Sequence, residues 1–249
     1  MSGHSKWKTN KGKKMVADAK RGATFTKVIK ELTVAAREGG NPDTNIRLRT
    51  AMTRAKEANM PFDNIKMAIK RGTGELPGVV YETVMYEAYG PGGVAILIEA
   101  LTDNKNRSTA EIRNIVSKKG GNLAGAGSVS WMFTKKGYIL IEKSQIKEEE
   151  LMSIVLDAGA EDFKSDDKNY EITTSPQDLE KVKEVLQAKG IKWLDAELTM
   201  IPSSSIKVTG GEAKQVLSLV EALEEHDDVQ QVYANFDIPD DILEQMAAG

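Results

Sequence analysis

The stretch "GHSKWKTNKGKKMVADAKRG", residues 3–22, sets Lys6, Lys8, Lys11, Lys13, Lys14, Lys20 and Arg21 against a single acid, Asp18. Cations at this density suit one chemistry. They release counterions from a polyanion and hold phosphates without base-specific geometry. Trp7 lies between Lys6 and Lys8. An indole there can stack on an unpaired base, or it can anchor the tail on the body, and the sequence leaves both open. A second candidate is "TDNKNRSTAEIRNIVSKKGG", where Lys105, Asn106 and Arg107 precede a helix expected over about Ser108–Lys119. Free N–H groups at a helix start favour an anion. Ser108 or Thr109 would cap that helix, since "STAE" is close to a capping box, and capping is compatible with anion binding.

Catalytic chemistry finds little support. The chain has two His, His4 and His226, and no Cys. A His-rich metal site or a Cys-ligated one is therefore excluded in practice. Both His are read as exposed polar residues, and no nucleophile, base and orienting group stand together. "GGNLAGAGS", residues 120–128, has no Gly-Lys-Ser/Thr and leads into a strand, so it reads as a turn or close-packing loop rather than a phosphate loop. The acids Glu224, Glu225, Asp227 and Asp228 read as a solvated helix end. No enzyme, cofactor or metal is expected.

Charge divides the 249 residues unevenly. Residues 1–72 hold 17 Lys+Arg against 6 Asp+Glu, whereas residues 73–249 hold 17 against 31, for a total of −3. Residues 202–249 are the most acidic, with 2 against 10. A basic end on an acidic body suggests a polyanion partner. No apolar run approaches the ~20 residues of a membrane span, and no apolar segment follows the basic leader as in a secretory signal. With no Cys, a reducing cytoplasm is the expected setting.

The elements that must position these residues follow from periodicity. Residues 1–14 lack it and are expected to be mobile on their own. A helix is predicted from about Val16, with Phe25, Val28, Ile29, Leu32, Ala35 and Ala36 in its stripe. Asn41-Pro42 is expected to open a second helix, Asn as cap and Pro as first residue, with Ile46, Leu48 or Arg49, Met52 and Ala55 inward. A third runs from Pro61 to Gly72, and "GTGELPG" is a linker. A hairpin is predicted around Gly90-Pro91-Gly92-Gly93, and "VSWMF" as a further strand. Residues 136–201 read β-α-β-β-α-β, the ferredoxin-like order. The expected fold is α+β and multidomain. Residues 1–78 form a basic tail and helical domain, 79–135 with 202–238 a discontinuous α+β domain, and 136–201 a ferredoxin-like domain inserted in it.

Several blocks, "GHSKW", "MPFDNIKMAIKRGTG", "YEAYGPGGVA", "TDNKNRSTAEIR", "GGNLAGAGSVSWMF" and "LEEHDDVQQVYANFDI", resemble the YebC family of cytoplasmic regulators over essentially the whole chain. The resemblance implies the same three-domain fold and non-enzymatic control of gene expression. It implies DNA-binding transcriptional regulation as in bacterial members, or translational activation with a ribosome link as in the mitochondrial branch. The expected partner is nucleic acid, DNA or ribosomal RNA, bound through the basic N-terminal region, with a monomer favoured. The other readings are an RNA-binding factor on the ribosome and an adaptor whose acidic C-terminal segment holds a basic protein.

Overall fold

A computed structural model describes residues 18–239, with side chains from residue 24 onward. The predicted start near Val16 and the tail at 1–14 lie outside the described residues. Two compact units are present, one made of residues 18–128 and 210–232, the other of 129–209 and 233–239. The architecture is α+β, with seven α-helices among the described residues.

The first unit begins with three helices, α1 (Asp18–Ala35), α2 (Ile46–Glu57) and α3 (Phe62–Gly72). Val28, Leu32, Ala35 and Ala36 of the first segment pack with Leu48, Ala51 and Ala55 of α2 and Ile65 and Ala68 of α3. The entry to α2 differs from the expected one. Asn41 accepts from the Asp43 amide and holds residues 42–44 in a turn, and the cap is Asn45. Its Oδ1 accepts from Leu48 N at 2.9 Å, and its Nδ2 donates to the Ala35 and Gly39 carbonyls. One buried carboxamide thus serves the end of one helix and the start of the next, which the exposed Asn41 cannot do. The buried stripe of α2 is Leu48, Ala51 and Ala55, and Ile46 lies across the helix from it, 70% exposed instead of inward. α3 starts after Pro61 as predicted.

The same unit carries a four-stranded sheet in the spatial order Asn122–Ala124, Glu82–Tyr89, Ala95–Thr102, Val229–Ala234. β1 (Glu82–Tyr89) and β2 (Ala95–Thr102) form the predicted antiparallel hairpin. α4 (Lys105–Lys118) follows, and then β3 (Asn122–Ala124), a short edge strand paired with β1 where a loop was expected. Gly121 allows this pairing, because a Cβ there would lie 2.6 Å from the Tyr89 carbonyl oxygen. The chain returns to this unit as α7 (Gly210–Glu224) and β9 (Val229–Ala234).

The second unit contains β4 (Phe133–Glu142), α5 (Glu148–Ala158), β5 (Ala160–Ser165), β6 (Asn169–Thr174), α6 (Leu179–Ala188) and β7 (Asp195–Pro202). Its sheet order, β5-β6-β4-β7, is the ferredoxin-like one, with every neighbour antiparallel. Ile139, Ile141, Tyr170 and Ile172 meet Leu151, Val155, Val182 and Leu186 of the two helices in its core. Ser130–Met132, predicted within a strand, forms a 3-10 turn, and the strand begins at Phe133. β8 (Ile206–Lys207) and β10 (Phe236–Asp237) make a small parallel pair.

Gly72 is where α3 touches α1. A Cβ there would lie 2.6 Å from the Ala36 Cβ and closer still to the Thr33 carbonyl oxygen. Backbone cannot yield as a side-chain tip does, so Gly72→Ala is expected to destabilise by about 1–3 kcal/mol. Urea denaturation measures this, with Gly125→Ala, where a Cβ meets nothing within 4 Å and φ is not positive, as the unstrained control.

Candidate nucleic-acid interface

The Lys105–Arg107 segment is not a loop before a helix, because it is the first turn of the helix. Asn104 caps α4, its Oδ1 accepting from Arg107 N at 3.1 Å. Ser108, expected as a possible cap, is fully buried inside the helix. The reason is a carboxylate beneath it. Asp228 stands at the turn before β9 with 2% of its surface exposed.

Asp228 gathers groups that are far apart in sequence. Lys30 of α1, itself 7% exposed, places Nζ on Asp228 Oδ1 at 2.5 Å and donates also to the Asp227 carbonyl. Arg107 Nη2 lies 2.9 Å from Asp228 Oδ2. Ser108 Oγ is 2.6 Å from both Asp228 Oδ2 and Thr102 Oγ1. A hydroxyl has one proton, so Ser108 donates to the carboxylate and accepts from Thr102. Thr102 Oγ1 in turn accepts from Asn104 N, and the Asp228 carbonyl accepts from Leu101 N. The ring of Tyr81 lies 5.7 Å from Lys30 Nζ, and Arg37 donates to the Tyr81 carbonyl. Helical segment, strand end and α4 are thereby fastened to one side chain. Burial works to raise the Asp228 pKa, but the hydrogen bonds from Lys30, Ser108 and Arg107 overcome it and hold the carboxyl well below the usual range. Arg107 is correspondingly held above its ordinary value by Asp228 and then Asp103.

His226 and Asp228 both depart from the surface positions expected of them. The His226 side chain is 11% exposed, with Nε2 2.9 Å from Glu111 Oε2 and Nδ1 accepting from the Asp228 amide. Because Nδ1 accepts, the proton sits on Nε2 and is donated to Glu111. Glu111, His226 and Asp228 offer ligand atoms within 4.8 Å of one another. This set does not suit a metal, since the Asp228 oxygens already receive two cations and a hydroxyl and both His226 nitrogens have partners.

The candidate contact residues are distributed as follows. Lys6, Trp7, Lys8, Lys11, Lys13 and Lys14 lie outside the described residues. Lys20 and Arg21 fall in α1, with their side chains outside the description. Lys105 and Asn106 are exposed on the first turn of α4. Arg107 lies beside them, but its Nη2 also meets Asp103 Oδ1 at 2.9 Å, so the guanidinium is turned onto the protein's own carboxylates. Lys30 and Thr102 are not singled out by sequence reasoning, while Ser108 reads there as a possible cap and Asp228 as a solvated acid. Nothing in the local pattern marks their shared role, apart from a Lys next to the apolar stripe of α1.

Two family models match, the TACO1/YebC protein N-terminal domain over residues 5–75 and the TACO1/YebC second and third domain over residues 81–236. This chain belongs to the TACO1/YebC family. A "Probable transcriptional regulatory protein" of Dictyoglomus turgidum is 55% identical over 99% of this chain and 100% of its own. One of the same description from Natranaerobius thermophilus is 57% identical over 98% and 99%. The crystal structure of a conserved hypothetical protein from Aquifex aeolicus, 48% identical, covers 89% of this chain and 92% of its own with a TM-score of 0.77. No helix among the described residues is long and apolar enough to cross a membrane.

Removing Asp228 leaves Lys30 buried without a counter-charge. Asp228→Ala is expected to cost about 3–5 kcal/mol in urea denaturation. The depressed pKa sets the pH dependence. The advantage of wild type over Asp228→Asn is full above the ordinary carboxylate pKa of ~4 and declines as pH falls below it. Parallel denaturation curves from neutral pH down to about pH 3 check the sign.

Proposed function

We propose that this protein is a non-enzymatic regulator of gene expression that binds nucleic acid. The observation that carries this reading is the charge distribution, 17 Lys+Arg against 6 Asp+Glu in residues 1–72 on a body of opposite sign. Such a body repels phosphate over roughly a Debye length, ~8 Å at physiological salt, so binding is delegated to the basic end. The curated relatives' description as transcriptional regulatory proteins supports DNA at promoters as the target. Lys105 and Asn106 provide a secondary contact on a rigid helix start, with Arg107 steadying that turn from Asp103 and Asp228. A second reading, an unpaired strand such as RNA, is supported by one specific observation, an aromatic side chain held out from a basic helix, Phe62 of α3. An adaptor holding a basic protein would use the other acids of the C-terminal segment, since Asp228 serves the protein's own Lys30 and Arg107.

Replacing Lys6, Lys8, Lys11, Lys13 and Lys14 with Gln tests the principal contact. If all five meet duplex phosphates, the slope of log affinity against log salt falls by ~4–5, at about 0.9 per contact. A slope unchanged in a salt titration on duplex DNA eliminates the tail as the contact. Sequencing the DNA and RNA crosslinked to the protein in cells then separates the two targets.

A further inference from the structure

Ile65, Ala68 and Gly72 turn one side of α3 inward, and the contact at Gly72 fixes the opposite side outward. Phe62, Lys66 and Lys70 recur every fourth residue, so they share that outer side, with Met67 next to them. Phe62 is 67% exposed and Met67 45%. Single exposed apolar residues need no explanation, but these are interleaved with cations that lack partners. Residues 46–72 hold seven Lys+Arg and two acids, Glu57 and Asp63. Arg47 pairs with Glu38, Arg54 with Glu31, and Arg49 donates to the carbonyls of Pro42 and Asp43. Among the described residues Lys56 of α2 and Lys66, Lys70 and Arg71 of α3 enter no ion pair or side-chain hydrogen bond, so three of these four cations fall on α3. Lys70 and Arg71 occupy the last turn, where they complement the helix dipole, and Asp63 does the same in the first. Dipole balance accounts for neither Lys66 nor the exposed ring.

We propose that this outer face of α3 is a contact for a single nucleic-acid strand, Lys66 and Lys70 on phosphates and Phe62 stacked on an unpaired base. It rests on the nucleic-acid reading above and adds a site on the folded body, separate from the N-terminal tail and from the start of α4. A duplex keeps its base faces covered by their neighbours, whereas an unpaired base offers a face to an exposed ring. Positive charge supplies attraction of either strand chemistry, RNA or DNA, and the ring supplies the preference for the unpaired state.

The test is fluorescence anisotropy with the full chain and three probes of about 20 nucleotides: an RNA, the single-stranded DNA of the same sequence, and its duplex. Proteins compared are wild type, the double variant Lys66→Gln/Lys70→Gln, Phe62→Ala and Phe62→Tyr, each with its melting temperature. The double variant is expected to lower the salt slope on both single strands by about 1.4, at ~0.7 per contact. Phe62→Ala is expected to weaken single-strand binding about tenfold, with the duplex within about twofold and Phe62→Tyr restoring the loss. A larger effect on the RNA than on the single-stranded DNA identifies RNA as the source of the strand, and equal effects identify the strand alone. Unchanged slope and affinity in the variants, with wild type binding, overturns this site and leaves the function standing. Equal weakening on duplex and single strands overturns the stacked base. Failure of wild type to bind any probe overturns both the function and the site.

Discussion

A lysine with 7% of its surface exposed can remain charged only beside a carboxylate that is itself fully hydrogen-bonded. Lys30 and Asp228 meet that condition together, and much of the first unit is arranged around it. Asp228 needs more than one partner to remain ionised in its buried position, and Arg107 and Ser108 complete the set, with Thr102 donating to Ser108. These come from α1, the end of β2, the first turn of α4 and the turn before β9, which are separated by as many as 198 residues in the chain. Burial without these donors would push the carboxyl toward its neutral form and leave Lys30 unsatisfied, so the elements are mutually dependent.

This pairing also sorts the cations. The chain's excess of Lys and Arg in residues 1–72 is not uniformly available to a ligand, because Lys30 is committed inside and Arg54 and Arg47 are matched by glutamates on neighbouring elements. What remains unmatched on the described helical segment is concentrated on α3. The acidic C-terminal segment is sorted in the same way. Its acids include one structural counter-ion, Asp228, and its carbonyls at Glu224 and Asp227 accept from Lys27 and Lys30. Opposite charge in the two halves of the chain therefore has an internal use in addition to any attraction of a partner.

The ferredoxin-like sheet is shared with many nucleic-acid-binding modules, but a fold of this kind does not bring a function with it. Its central strands bury Ile139, Ile141, Tyr170 and Ile172 toward the helices. Alternation then places Tyr138, Leu140, Glu171 and Thr173 on the other face. Tyr138, Leu140 and Glu171 are buried there, so this face offers no platform for stacked bases and phosphates. Gly137 sets the close approach of this sheet to α6, since a Cβ there would lie 2.9 Å from the Leu179 Cβ.

The sequence by itself determined the elements whose signal is local. The period-four stripe of α1, the Pro61 entry to α3, the Gly-Pro-Gly-Gly hairpin and the β-α-β-β-α-β run all depend on residues close together in the chain. It also determined the charge asymmetry and the absence of Cys. Choices among equivalent local signals needed tertiary structure. Asn41 and Asn45 are both competent caps, and Asn45 prevails because its carboxamide is buried against the Ala35 and Gly39 carbonyls. Ser108 can cap a helix as well as Asn104 can, until Asp228 draws it inside. The pairing of Lys30 with Asp228 was not legible at all, since a lysine next to an apolar stripe and an aspartate in "EEHDDV" each look solvent-facing. Only the fold brings them together, because the free energy of a buried ion pair belongs to the pair and its donors and to neither residue alone.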